Sequence, residues 1–221
     1  MDAGVPLVRL DAVGKSYGDR QVLRDVHIDL HRGEMASLTG PSGSGKSTLI
    51  SLLAGLSVPD AGRMLFDGVE INELDDAGRA RLRARRIGII LQSGNLIPFL
   101  TASENVELAH RFADHRRGAQ TRDLLAELGV ADRSDHLPRR MSGGQAQRVA
   151  VAVALANEPD LLLADEVTGQ LDTATADQVM RTILEAGRRH GLTVLFVTHD
   201  RELAARAERR LVLEAGQVYE R

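Results

Sequence analysis

Apolar and polar positions alternate early in the chain. Val26, Ile28 and Leu30 fall on one side and His27 and Asp29 on the other, the period-two pattern of a half-buried strand. Met35 to Thr39 is a short apolar run ended by glycines, and Lys46 to Leu56 carries Leu49, Leu52, Leu53 and Leu56 at helical spacing. Arg63 to Ile71 predicts a hairpin turning at Asp67-Gly68. Ile87 to Leu91 predicts another buried strand. Thr101 and Glu104 have capping-box spacing ahead of Val106 and Leu108. Leu124, Leu125 and Leu128 form a stripe that stops at Gly129. Ser142 to Ala156 predicts a helix with Val149, Ala152, Val153 and Ala156 along one side. A strand (Leu161 to Ala164), a helix (about Thr173 to Arg188) and a strand (Thr193 to Val197) follow. A short helix and a hairpin around Ala215-Gly216 close the chain.

Strands alternating with helices predict an α/β fold with a mainly parallel sheet, and the early hairpins add an antiparallel β portion. The block from about Ser93 to Arg140 predicts an inserted helical segment. The expected organisation is one domain over 1–221: a core from 1–92 and 157–221, with a helical subdomain over about 93–156.

Composition narrows the function. Apolar residues make up 43%, ample for a folded core, and the net charge of −3 carries no basic nucleic-acid footprint. There is no cysteine, which excludes disulfides, thiolate metal sites and thiol catalysis. Met1 to Gly4 shows no basic, then apolar, start of a signal peptide. No apolar run approaches the roughly 18 residues that cross a bilayer, so membrane contact is expected only through a partner. Of the 28 basic residues only Lys15 and Lys46 are lysines. In so arginine-rich a chain, a lysine at Lys46 points to a chemical need for a compact charge rather than a planar fork.

Lys46 lies in the segment Gly40-Pro41-Ser42-Gly43-Ser44-Gly45-Lys46-Ser47, the phosphate-loop pattern between a strand and a helix. Its glycines let backbone N–H groups turn inward on phosphate oxygens, and the following helix adds its positive end. Lys46 is suited to the β- and γ-phosphates and the Ser47 hydroxyl to Mg²⁺. Asp165 and Glu166 end the apolar run Leu161 to Ala164, where ligands meet an open α/β sheet. Asp165 is the candidate for the Mg²⁺ shell and Glu166 for polarising a water. Met141-Ser142-Gly143-Gly144-Gln145 precedes a helix. Capping explains Ser142 and Gln145, whereas the two glycines suggest close backbone approach and a second anion-binding helix end.

Together, the segments 40–48 (ending at Thr48), Gln92, 141–145, 161–166, Leu171-Asp172 and His199 resemble the ABC ATPase family in order and spacing, over essentially the whole chain. The likeness is strongest to the lipoprotein-release, macrolide-export and cell-division permease branch, through 95–108 and 147–166. The resemblance implies an ATP-hydrolysing subunit that powers a separate transmembrane permease from the cytoplasmic face of the cell membrane. It implies a homodimer with each ATP between the phosphate loop of one chain and Ser142 to Gln145 of the other. It also implies adenine stacking on Tyr17, Mg²⁺ and water contacts for Gln92, a γ-phosphate contact for His199 and an interface position for Asp172. A groove beside Gln92 would receive a permease helix.

The sequence departs from the family pattern at Met141, at Val153, at Val167 (in place of a proline) and at Gln170. The lost proline frees the backbone after Glu166. The arginines Arg79, Arg81, Arg83, Arg85 and Arg86 read as a solvated face, with attraction to anionic lipid the sharper alternative. A mechanical switch on a membrane partner stays open as an alternative to transport. A soluble nucleic-acid ATPase is disfavoured, because only 49 residues separate Gln92 from Ser142, too few for a long coiled-coil arm.

Overall fold

The computed structural model describes residues 5–113, 118–169 and 171–221, so Met1 to Gly4 and Gln170 lie outside the described residues. Two sheets organise the chain. Strands β1 (Val8–Tyr17), β2 (Arg20–Leu30), β4 (Ala61–Phe66) and β5 (Val69–Glu70) form an antiparallel sheet in the order β2-β1-β4-β5. The second sheet has the order β10-β9-β3-β8-β7-β6, built from β3 (Met35–Thr39), β6 (Ile87–Ile90), β7 (Leu161–Asp165), β8 (Thr193–Val197), β9 (Arg209–Glu214) and β10 (Gln217–Glu220). Its strands pair in parallel except β9 with β10. The α/β class and the antiparallel β portion are therefore as the patterns predict. The Arg24 amide donates to the Gly216 carbonyl at 2.8 Å and ties the sheets together.

The central strands β3, β7 and β8 are mostly apolar because both of their faces are covered. Leu161, Leu163, Leu195 and Val197 pack on one side with α1 (Lys46–Leu53) and the antiparallel sheet. Leu162, Ala164, Val194 and Phe196 pack on the other with α5 (Gly143–Leu155) and α6 (Thr173–His190). Fully burying each such side chain is worth about 1.5–3 kcal/mol. The loops after β3, β7 and β8 consequently emerge at one edge of a rigid slab.

Three helices remain before the short α7 (Arg201–Ala204): α2 (Asp76–Arg86), α3 (Ala102–Phe112) and α4 (Gly118–Glu127). The capping box at α3 forms as predicted: Thr101 N donates to Glu104 Oε2 at 2.7 Å, and Glu104 N to Thr101 Oγ1 at 3.2 Å. The Asp67-Gly68 and Ala215-Gly216 turns also form, with positive φ at all four residues.

Two expectations need correction. The first helix ends at Leu53 rather than Leu56, because Gly55 turns left-handed (φ 62°) and carries Leu56 out to 56% exposure. The arginine cluster is not a freely solvated face but a helix, α2, fastened down by its own guanidinium groups. Arg83 donates to the Gly55 carbonyl at 2.9 Å, Arg79 pairs with Asp76, and Arg86 pairs with Asp160 and with Asp67 at 2.8 Å. Arg32 reaches the same two acids at 2.6 and 3.1 Å, closing a four-member network. Polar periodicity hid this helix, because none of its residues is buried.

Candidate functional site

The phosphate loop leaves β3 at Thr39 and enters α1 at Lys46. Gly40 (φ 154°) is glycine for want of room, since a Cβ there would stand 2.2 Å from the Leu213 carbonyl oxygen. Gly43 and Gly45 also have positive φ, and Gly45 caps α1 in the left-handed region. The Lys46 side chain is 9% exposed, and its ammonium donates to the Gly40 and Pro41 carbonyls at 2.9 Å each. An ammonium has three donors, so one remains for an incoming oxygen. Ser44 Oγ is buried in the same loop with no hydrogen-bond partner. An unused ammonium hydrogen and a stranded hydroxyl in a glycine-rich loop suit a polyphosphate.

Three further segments meet this loop. A cleft of about 610 Å³ is lined by Gly40, Ser42, Gly43, Gly45, Lys46, Ser47 and Thr48 together with Gln92, Asp165, Glu166 and His199. Asp165 is the last residue of β7 and Glu166 the first beyond it. The Glu166 amide donates to the Val197 carbonyl at 3.1 Å, and Glu166 has φ 46°, a conformation uncommon for a non-glycine residue. The turn so formed is held by Val167, 5% exposed and packed in the core. Apolar packing therefore fixes backbone that the missing proline would leave free.

Burial pushes the Asp165 carboxyl up, the neighbouring Glu166 charge adds to that, and a hydrogen bond from Ser47 and the Lys46 charge oppose it. A buried, repelled carboxylate beside a hydroxyl is a hard-oxygen pair that a divalent cation would relieve. No cluster of three or more His, Cys, Asp or Glu suited to a metal occurs among the described residues. The Asp165 and Ser47 oxygens are the kind of donor set that suits Mg²⁺, which takes one or two protein oxygens and completes its shell with phosphate and water. The residues present therefore fit the group.

His199 follows β8. It precedes Asp200, which caps α7 by accepting from Glu202 N at 2.7 Å and Leu203 N at 3.2 Å. Gln92 follows β6 in a loop organised by residues that pattern reading missed. Asn95 accepts from Leu91 N at 2.7 Å and donates to Leu91 O at 2.6 Å. Asn105, 5% exposed on the buried face of α3, accepts from Ile97 N at 2.8 Å and donates to the Leu100 and Thr101 carbonyls at 3.0 and 2.8 Å. A polar side chain in phase with the apolar Ala102 and Val106 was the available signal.

The structure does not bring Tyr17, Ser142, Gly143, Gly144, Gln145 or Asp172 into the lining of this cleft. Tyr17, 55% exposed, ends β1 opposite Arg20, and Arg20 and Val22 line the cleft instead. Neither belongs to a recognisable motif, so only strand pairing reveals them. Ser142 caps α5 with the reciprocal bonds of a capping box, Gln145 N to Ser142 Oγ at 3.3 Å and Ser142 N to Gln145 Oε1 at 3.0 Å. The serine uses its oxygen as acceptor and keeps its own hydrogen to donate outward. Asp172 caps α6.

The glycines after Ser142 need a reading beyond close approach to a ligand. A Cβ on Gly143 would stand 3.0 Å from Leu171 Cδ2, and one on Gly144 2.6 Å from Thr175 Cγ2. They let α5 close on the start of α6 within the chain.

The family described as ABC transporter matches residues 23–169. The ABC transporter ATP-binding protein YbbA of Escherichia coli (strain K12) is 44% identical over 214 residues, covering 95% of this chain and 93% of YbbA. The lipoprotein-releasing system ATP-binding protein LolD of Cereibacter sphaeroides is 44% identical over 95% of this chain and 97% of its own. The macrolide export ATP-binding/permease protein MacB of Brucella melitensis is 42% identical over 98% of this chain but only 34% of its own length. Among solved structures, the ATP-binding cassette MJ0796 in a dimeric post-hydrolysis state with ADP and Pi superposes with a TM-score of 0.88 at 37% identity, over 97% of both chains.

Proposed function

The chain belongs to the ABC transporter family, and on that premise we propose how its residues turn ATP hydrolysis into work on a separate transmembrane permease. It is the ATP-binding and ATP-hydrolysing subunit, a motor that acts as a homodimer. The observation that carries the reading is the convergence of Lys46, Ser47, Gln92, Asp165, Glu166 and His199, from four separate segments, on one cleft.

The loop amides and Lys46 bind the phosphates of ATP, and Ser44 satisfies its stranded hydroxyl on them. Ser47 and Asp165, with Gln92, would hold Mg²⁺, which would supply positive charge to offset that of the phosphates. Glu166 orients and polarises the attacking water. Glu166 enters its left-handed turn tied to Val197, and His199, which lines the same cleft, contacts the γ-phosphate. Tyr17 stacks on adenine at the cleft mouth. Ser142 and Gly143 are exposed, with Gly144 buried behind them and Gln145 completing the cap, and the serine hydrogen serves the γ-phosphate held by the partner chain. The triphosphate thus joins two chains in a two-fold pair, with Asp172 at the joint. Hydrolysis removes the contact that only the triphosphate makes, and the equilibrium shifts to the open pair.

No helix among the described residues is long and apolar enough to cross a membrane. The proposed position is peripheral, on the cytoplasmic face, held there by the permease. The relatives serve lipoprotein release and macrolide export, and the work done here is proposed to be of that class. The segment 93–156 is proposed as the helical subdomain that carries the motion.

The test is Glu166→Gln. Its ATP turnover is expected to fall more than about 100-fold, while sedimentation shows a dimer that persists with Mg-ATP and separates with ADP. Turnover equal to that of the unmodified chain would remove Glu166 from its role.

A further inference from the structure

We propose that Thr175 is a positioning residue that locks Ser142 to Asp172, so that the two ATP sites of the dimer respond together rather than one at a time. The proposal rests on the ATP-sandwich reading above and names a part of the device that motif comparison does not.

The geometry is two-sided. Thr175 donates its amide to Asp172 Oδ1 at 3.1 Å and its hydroxyl to Asp172 Oδ2 at 2.6 Å, so one residue holds both carboxylate oxygens. Its methyl group, Cγ2, meanwhile closes off the space beside Gly144, where an added Cβ would come within 2.6 Å of it. Threonine is β-branched and stiff at χ1. One rotamer therefore places the hydroxyl on α6's own cap and the methyl on the backbone of α5. Leu171 makes a similar contact with the preceding glycine, its Cδ2 lying 3.0 Å from the Cβ position of Gly143.

Ser142, Gly143 and Asp172 are exposed, whereas Gly144 is buried and Thr175 half-buried beneath them. The exposed residues are the ones proposed to meet the partner chain, and the covered pair is the joint that keeps them in register. A shift imposed on Asp172 when one site loses its γ-phosphate must move Thr175, and with it the backbone that carries Ser142, which serves the other site. Asp172 could have capped α6 through the Thr175 amide alone. The hydroxyl and the tight methyl contact add a link between two helix starts that a simple cap does not need.

The experiment compares ATP turnover against ATP concentration for the full chain, for Thr175→Ser and for the pair Gly144→Ala with Thr175→Ser. Serine keeps the hydroxyl and removes the methyl; alanine at Gly144 returns a carbon to the same space from the other helix. The unmodified chain is expected to give a Hill coefficient approaching about 2, and Thr175→Ser one near 1 with half-saturating ATP changed less than about twofold. The double variant is expected to recover the cooperative curve. A residue that only packed would lower melting temperature or turnover and leave the curve's shape alone. A Thr175→Ser curve as steep as the unmodified one, or a loss that the double variant does not restore, overturns the role of Thr175. A hyperbolic curve for the unmodified chain, with no ATP-dependent dimer, overturns the sandwich reading itself and this inference with it.

Discussion

Asn95 closes a ring on Leu91, accepting from its amide at 2.7 Å and donating to its carbonyl at 2.6 Å. The ring spans the loop that carries Gln92, and it sets where that carboxamide enters the cleft. Asn95→Ala removes both bonds and leaves the phosphate loop intact. Turnover is expected to fall by about tenfold, a loss of roughly 1.4 kcal/mol in transition-state stabilisation, with ATP affinity unchanged. Calorimetric ATP titration beside steady-state kinetics separates the two, and a matched loss of affinity would count against the assignment.

Lys46 is folded against two carbonyls, those of Gly40 and Pro41, at 2.9 Å each. The longer, planar fork of arginine does not match the compact point that an ammonium occupies between those two carbonyls. Lys46→Arg is expected to weaken ATP binding by at least about tenfold although charge is conserved. Fluorescent-nucleotide titration measures it, and wild-type affinity would mean that charge alone suffices.

Asp165 is a carboxylate kept at a cost. Burial, then the charge of Glu166, raises its folded-state pKa, so the ionised form is disfavoured in the fold and its removal lifts that cost. Asp165→Asn is expected to melt at the same temperature as the parent or above it. Its Mg²⁺-dependent turnover is expected to drop more than about 100-fold. Calorimetry and an ATPase assay titrated with Mg²⁺ check the two halves, and a lower melting point would contradict the first.

The Asp67 network gives a pH signature. Hydrogen bonds from Arg86 and then Arg32 hold the Asp67 carboxyl below the usual carboxylate range. A depressed folded-state pKa stabilises the fold above the unfolded value of about 3.9 and loses that effect as pH falls through the folded value. Asp67 has φ 51°, which asparagine also tolerates, so Asp67→Asn isolates the charge. With the side chain 39% exposed, solvent screening limits the loss at pH 7 to about 0.5–1 kcal/mol. Urea melts at pH 7 and near pH 3 are expected to show that difference at the first and a smaller one at the second, below the unfolded value. An equal difference at both would assign the effect to the turn rather than to the ion pairs.

What the sequence by itself determined was local. The phosphate loop, the capping boxes at Thr101 and Ser142, the β3, β7 and β8 strands and the Asp67-Gly68 turn each depend on residues within about eight positions of one another. Spacing alone can specify those hydrogen bonds and dihedrals. What only the tertiary structure decided depends on which strand lies beside which. Because β8 sits between β3 and β7, Glu166 can bond Val197. Because β1 pairs with β2, Arg20 rather than Tyr17 lines the cleft. Gly144 stays small for Thr175, 31 residues away in sequence, and α2 is fastened by acids at Asp67 and Asp160 that no periodicity connects. Burial is non-directional and selects a pattern of apolar faces. Hydrogen bonds and steric contact across that packed core select the partners, and they exist only once the chain has closed on itself.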